Sequence, residues 1–593
     1  MVEAREGLDR SLIFSLFAQR GAFTGFHVDS PDATWAQTPL PRRYIRRNAF
    51  KQEKSQESIP APLLNGDGFL DFGPYDPSNP RNWSTPRKWY ITLCASFLAM
   101  VGNIASSIPS GCLVSLSKEL HVSEEAAGLS LTLYLLGYCA GPLLFAPISE
   151  FYGRQIIYRT TFPVYLAFGV LCAFAPNFGA LLVGRFLAGT FVSAVLSITP
   201  GVLADVWDHM KRGNAIAIFS TSVWAGPSLG PIISGFLVLQ KDWRWGFYVV
   251  ACVSGLAALF MLTIPETNGP IILIERARRV RKARVSGYEG VQTEYEAAGF
   301  TLLDIYRTAL TRPWALMLDA ISLLRSIYMA VVFTLQYMLF TIYPIVFQDM
   351  RGWNEGVGPL PLLGTVVGAV PGALIIFYDT RRRRDKLKAG FDLDPEDRFT
   401  MGMIGGAGFA AAMFWFAWTA QYNEIHWLVP TIAGGLLSAS LILTFISYLN
   451  YLVDSYVHYA ASVIAVNTLA RSIGSASAPL FTTYMSKAMG VGGGGSLIGG
   501  VAAVLASVPF VFWRHGKKIR GRSKYTPSDA AIKADPEVGT PHPANHSLRE
   551  TEESTEVSRT GSNPVANPVD HSLREVEEGK QLSGTLSSHE EAR

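Results

Sequence analysis

Charge is scarce in this chain. Asp, Glu, Lys and Arg supply 17% of its 593 residues, against a hydrophobic share of 49%, a balance too apolar for an ordinary soluble domain. The net charge of +4 comes from basic residues set beside apolar runs rather than on one soluble face, which excludes a nucleic-acid binder. No phosphate-binding loop of the Gly-x4-Gly-Lys-Ser/Thr kind occurs, which excludes a nucleotide-driven pump on this chain. The five cysteines (Cys94, Cys112, Cys139, Cys172 and Cys252) lack metal-ligand spacing. They read as small buried hydrophobes, and neither a metal nor a cofactor is expected. No signal peptide is visible: Leu12 to Phe17 is apolar but too short, so the first long apolar run is expected to act as an internal signal. Finally, no carboxylate lies near the middle of an apolar run; Glu150, Asp205, Asp349 and Asp454 all stand at run ends.

What the chain does contain is a series of apolar runs of about twenty residues, the length a helix needs to cross hydrocarbon. They fall near 89–110, 126–147, 156–176, 179–203, 214–238, 244–264, 322–346, 357–378, 400–420, 427–452, 459–482 and 496–513. Such continuous runs exclude barrel strands, which would alternate polar and apolar residues. Lys and Arg gather in every second loop: Arg154 and Arg159, Lys211 and Arg212, the cluster from Arg276 to Arg284, Arg381 to Arg384 with Lys386 and Lys388, and Arg514 to Arg520. The other loops hold little beyond Lys118, Lys241, Arg244, Arg351 and Lys487. The positive-inside rule then predicts both termini and the middle loop in the cytosol.

The expected organisation is all-α and polytopic, with about twelve transmembrane helices. A mostly disordered, Pro-rich cytosolic arm covers 1–87, with Arg42, Arg43, Arg46 and Arg47 clustered in it. Six spans cover 88–265, a central cytosolic loop 266–320, and six further spans 321–515. A disordered tail follows over 516–593, with His-Ser-Leu-Arg-Glu at His546–Glu550 and again at His571–Glu575. Three echoes support a duplicated unit. Span 4 ends in Leu203-Ala-Asp205-Val-Trp207 and span 10 in Leu452-Val-Asp454-Ser-Tyr456. Gly226 stands five residues before Pro231 in span 5, as Gly474 does before Pro479 in span 11. Glu150 lies near Arg154 after span 2, and Asp379 near Arg381 after span 8. Two such halves would meet around a central cavity and rock to expose it to either side.

Ala146-Pro-Ile-Ser-Glu150-Phe-Tyr-Gly153-Arg154 forms the short turn after span 2. A tight turn needs Gly153. Glu150 and Arg154 could pair with each other, cap a helix end, pair with Asp205, or simply fix topology as juxtamembrane charges. In span 5, Trp224-Ala-Gly226-Pro227-Ser-Leu-Gly230-Pro231 permits close helix approach and bending, as generic small-residue packing would. Arg185 and Arg471 lie deep in spans 4 and 11; a cation there faces a cavity, a partner or backbone carbonyls. Arg325, near the cytosolic end of span 7, is expected to snorkel. Candidates for a substrate cavity are Asn103, Ser106, Tyr328, Gln336, Tyr337, Asn467 and Arg471, each of which packing would also explain. Phe414, Trp415, Phe416 and Trp418 of span 9 read as cavity residues or lipid-facing anchors.

The turn after span 2 resembles the loop 2–3 signature of the major facilitator superfamily, Gly-x-Leu-(small)-Asp-Arg-x-Gly-Arg-Arg. Ala146, Glu150, Phe151 and Gln155 depart from it; an acidic residue, Gly153 and Arg154 are kept. The span 5 segment resembles the signature of antiporters in that superfamily. Asp76-Pro-x-Asn79-Pro80-x-Asn82-Trp83-Ser84, Trp243-Arg-Trp245-x-Phe247, Pro265-Glu266-Thr267 and Asn450-Tyr-Leu-Val-Asp454-x-Tyr456 extend the similarity, over residues 71–515, to fungal twelve-spanner drug:proton antiporters. This resemblance implies the major facilitator fold, with two pseudo-symmetric six-helix bundles, and export of drugs, toxins or a secondary metabolite by proton antiport. It implies a conformational latch of Glu150, Gly153, Arg154, Asp205 and Asp454, in which Glu150 faces an end of span 11 and Arg154 bonds Asp205. It links Arg185, in Gly184-Arg185-Phe-Leu-Ala-Gly189, to proton transfer with Asp205 and Glu150. The implied partners are a small-molecule substrate, protons and the lipid bilayer, with no nucleic acid. The implied form is a monomer in the plasma membrane, with the vacuolar membrane as alternative. A polyamine or single-metabolite exporter is a narrower reading, and the lack of intramembrane carboxylates argues against polyamines. No enzyme is expected: His27 and Asp32 match an acyltransferase-like spacing only inside the arm. A non-transporting receptor with this fold would carry a structured cytosolic domain.

Overall fold

Apolar runs without water to bond their backbone must satisfy it internally, and the helix does this within one segment. The structure is a computed structural model and describes residues 64–73, 75–284, 288–299, 301–389, 395–456 and 460–520. The expected arm over 1–63 and the tail from 521 lie outside them. The membrane helices are α1 (Thr85–Ser107), α2 (Glu124–Tyr152), α3 (Arg154–Ala173), α4 (Phe178–Val206), α5 (His209–Val238), α6 (Arg244–Leu262), α7 (Ala320–Pro344), α8 (Leu363–Lys388), α9 (Phe399–Gln421) and α10 (Leu428–Ser455). The final run, Ala460–Arg520, turns at Gly490 (φ +69°), which divides it into α11 before that glycine and α12 after it. Its apolar part, 55 residues, reaches about 80 Å as helix, enough to cross a bilayer twice.

Helix starts follow the local sequence. Ser123 caps α2 by accepting from the Ala126 N–H at 3.1 Å, and Asn177 caps α4 through Ala180 at 2.8 Å. Two boundaries differ from expectation. α8 continues through Arg381–Arg384 to Lys388, because Arg383 bonds Asp379 one turn back at 2.8 Å and a helix C-terminus favours cations. The glycine-rich stretch 483–495, expected as a linker, is helical apart from the bend at Gly490.

The two halves pack alike. α1 lies on α5, α2 on α4 and α3 on α4; correspondingly α7 lies on α11, α8 on α10 and α9 on α10. Glycines set the closest of these approaches. A methyl at Gly226 would stand 2.8 Å from the Met100 carbonyl oxygen, and at Gly230 2.7 Å from that of Ile104, both on α1. On the other half, a methyl at Gly474 would stand 2.5 Å from the Ala330 carbonyl oxygen of α7. The halves meet along α2 with α11 and α5 with α8. Thr132 donates to the Ala476 carbonyl at 2.9 Å, the Ser228 and Thr365 hydroxyls bond at 2.7 Å, and Lys487 pairs with Glu125 at 3.5 Å.

Residues 64–84, counted within the disordered arm, are instead docked on the central segment. Leu70 is buried, its N–H donates to Gln292 at 3.0 Å, and Asp76 pairs with Arg276. The receiving surface is the helix Gly269–Lys282, whose Ile274, Ala277 and Val280 are buried. Arg281 clasps Glu296 with two bonds of 2.8 and 3.0 Å, and the helix Leu302–Met317 leads into α7.

Candidate functional site

Gly153 joins α2 to α3 at φ +101°, a conformation that costs any residue with a Cβ. Its missing side chain leaves room for Glu266: a methyl there would collide with the carboxylate. Glu266 accepts from the Arg154 and Gln155 N–H groups, both at 3.0 Å, and from its own neighbours Thr267 and Asn268 at 2.9 and 2.8 Å. An anion thus sits on the positive N-terminal end of α3. Arg154 then reaches α4, its Nε 3.5 Å from Asp205 Oδ2, while its NH1 donates to Ser149 at 2.7 Å. Gly201 leaves the space its guanidinium fills. At that distance the Arg154–Asp205 contact is an ion pair rather than a hydrogen bond. Glu150 is exposed and makes no hydrogen bond or ion pair among the described residues. The side chain of Asp454, and residues 457–459 before α11, lie outside the described residues.

Three arginines within the spans have three different surroundings. Arg185 of α4 is 2% exposed, and its donors go to the carbonyls of Ser130, Ala105 and Ser106 at 2.9, 2.7 and 2.8 Å. The Tyr134 ring lies 4.1 Å from it. It ties α4 to α1 and α2 inside its own half. Arg325 does not snorkel. It is fully buried, with the rings of Tyr451, Phe512, Phe399 and Tyr448 at 3.5, 4.6, 4.9 and 5.6 Å, and its nitrogens have no hydrogen-bond partner among the described residues. Cation–π attraction is what remains to hold its charge. Arg471 of α11 is partly exposed and lies 4.6 and 5.6 Å from the rings of Phe333 and Phe445.

The remaining candidates divide. Trp224 of α5 packs against Phe333 and Phe445, 5.3 and 6.0 Å away between ring centroids. It lines a cavity between the halves together with Ser228, Gln336, Thr365 and Ser438. Arg471, Gln336 and Tyr337 therefore gather near this cavity, Tyr337 packing edge-on against the cavity residue Phe340. Asn467 is buried on α11. Asn103 and Ser106 bond the carbonyls of Ala99 and Asn103 on their own helix, at 2.8 and 2.7 Å, and Ser106 also faces Tyr337 of the other half. Tyr328 stacks on Tyr448, at 4.8 Å, within the second half. Gly226, Pro227, Gly230 and Pro231 lie inside α5, where the two glycines receive α1. Of the α9 aromatics, Phe414, Trp415 and Trp418 face outward while Phe416 stacks on Tyr343. Cys252, expected to be buried, is exposed, because it falls on an outer face of α6. Sequence reasoning gave no role to Glu266 or to the ring cage of Arg325.

Comparison with known proteins agrees with this architecture. A sequence model of the Major Facilitator Superfamily matches residues 92–479. The major facilitator superfamily multidrug transporter mdrA of Aspergillus fumigatus is 36% identical over 77% of this chain and 76% of its own length. The efflux pump FUBT of Fusarium oxysporum is 36% identical over 83% of this chain and 84% of its own. The multidrug transporter TPO1_2 of Candida glabrata is 35% identical over 76% and 78%. Among solved structures, the proton:xylose symporter XylE superposes with a TM-score of 0.52 at 18% identity, covering 73% of this chain and 96% of XylE, a likeness of fold alone. The chain belongs to the major facilitator superfamily. It is a multi-pass membrane protein of that transporter family.

Proposed function

We propose that this protein exports small organic molecules by alternating access, the halves 88–265 and 321–515 rocking about the cavity beside Trp224 and Gln336. The observation that carries the reading is that cavity, amphipathic and shared by both halves; the efflux-pump names of its relatives set the direction. The basic end, with Arg154 and the central segment 266–320, faces the cytosol, and the monomer resides in the plasma membrane. Inward proton movement drives export, with Asp205 and Glu150 as the carboxylates at the cytosolic end and Arg185 on the same helix as Asp205. The latch of Gly153, Arg154 and Asp205 stiffens that end, with Glu150 and Asp454 completing it.

The test is flux in inside-out vesicles under an imposed pH gradient, using a panel of fluorescent amphiphiles. Acid-interior vesicles should accumulate at least one of them, and a protonophore should abolish the accumulation. Folded protein that moves none of the panel, with or without a gradient, sinks the reading.

A further inference from the structure

Among the described residues beside the cavity, one charged side chain is left open, and it is positive. Arg185 has its donors taken by three carbonyls, and Arg325 is sealed among rings. The Arg471 guanidinium bonds no described residue and pairs with no described carboxylate, while its side chain is only partly buried. Two rings, Phe333 and Phe445, flank it, and Trp224 covers the same rings from the other half. A charge held in this setting without a counter-ion is costly, and the cost is relieved when an anion arrives. A second group also lacks a partner among the described residues: Gln336 Oε1 is buried with no donor, in the cavity lined by Ser228, Thr365 and Ser438.

We propose that the exported molecule is an amphipathic organic anion, its carboxylate held by Arg471 and its planar apolar body laid along Trp224, Phe333 and Phe445. The assignment rests on the export reading above and supplies its substrate class. A guanidinium offers a carboxylate two parallel donors, which a lysine cannot match. The rings accept a flat hydrocarbon face. Gln336 Oε1 then accepts from a hydroxyl or N–H on the same molecule. A cation entering this space meets Arg471 with nothing to offset the repulsion.

The test uses full-length protein in liposomes with three matched probes: naphthoate, its neutral amide, and naphthylmethylammonium. Binding is read by tryptophan fluorescence and movement by counterflow. Wild type should prefer naphthoate over the amide by about tenfold, and Arg471→Gln should weaken naphthoate binding about 10- to 100-fold while leaving the amide within about twofold. Arg471→Lys, which keeps the charge but not the fork, should recover part of the loss. Wild type that moves the amide or the ammonium better than naphthoate overturns the anion assignment and leaves export intact. Arg471→Gln protein that is monodisperse yet loses all three probes alike overturns it too. Wild type that moves none of them overturns the anion assignment; export itself falls only if the fluorescent panel above is not moved either.

Discussion

Glu266 closes the joint between α2, α3 and the segment after α6, and its removal has a calculable effect. In Glu266→Ala, four backbone N–H groups, of Arg154, Gln155, Thr267 and Asn268, lose an acceptor now 2.8 to 3.0 Å away. Each net bond contributes about 1 kcal/mol, water recovers part of that at a half-buried joint, and loss of an anion from the α3 N-terminus adds about 0.5 kcal/mol, so the expected cost is about 3 kcal/mol. Glu266→Gln keeps one acceptor oxygen but turns an NH2 toward donors, for about 2 kcal/mol. The chain carries its own reporter for this. Cys94, Cys112 and Cys172 are buried, so a thiol-reactive dye reads their exposure on heating once the exposed Cys252 and the half-buried Cys139 are changed to Ser. The midpoint should fall in the order wild type, Glu266→Gln, Glu266→Ala. If both variants melt with wild type, the carboxylate is not what holds this joint.

Gly153→Ala should lower the same midpoint by about 2 kcal/mol equivalent or more, since it combines a left-handed φ with a collision against Glu266; unchanged melting counts against that geometry. Arg325→Met should be neutral or stabilising, because it removes an unpaired buried cation while filling similar volume, whereas Arg325→Ala should cost about 2–4 kcal/mol through the cavity it leaves. Equal losses in the two variants would show that the charge itself is required. In the central segment, the bonds from Arg281 hold the Glu296 carboxyl below its ordinary value. Asp76 is also held low, its burial outweighed by bonds from Ser78 and Arg276. Depressed carboxyl values mean stabilisation that is complete above the unfolded value, about 4, and lost as pH falls through the lower folded value. Protease access to 266–320 should therefore stay flat from neutral pH down to about 5 and rise only under strong acid; a rise near neutral pH contradicts the clasp.

The helices were legible because hydrocarbon permits few alternatives: uninterrupted apolar length and the alternation of basic loops are local properties, and α1 to α10 begin within a few residues of their expected places. Gly153, Arg154 and Asp205 were legible because they fall in short motifs. Glu266 lay within a noted tripeptide, but its partner Arg154 is 112 residues away, and nothing in Pro-Glu-Thr names that partner. Arg325 misled for a related reason. Its cage comes from Phe399, Tyr448, Tyr451 and Phe512 on three other helices, so a position near a helix end looked like access to water. Asn103 and Ser106 show how polarity alone leaves a role open, since both also bond carbonyls of their own helix. The bend at Gly490 falls between the expected runs ending at 482 and starting at 496, but the helical course of the glycine-rich residues around it was hidden by their poor helix propensity.

The glycine contacts of α5 with α1 and of α11 with α7 make two girders out of four helices. With backbone this close to backbone, and only short side chains such as Ser107 and Thr334 beside it, each pair is poorly placed to shear. Trp224 and Arg471 ride one on each girder, and α5 flexing by itself cannot widen the gap between them. On the proposed export reading, cargo between Trp224 and Arg471 would leave when a whole girder swings, which would tie its release to a rigid movement of paired helices.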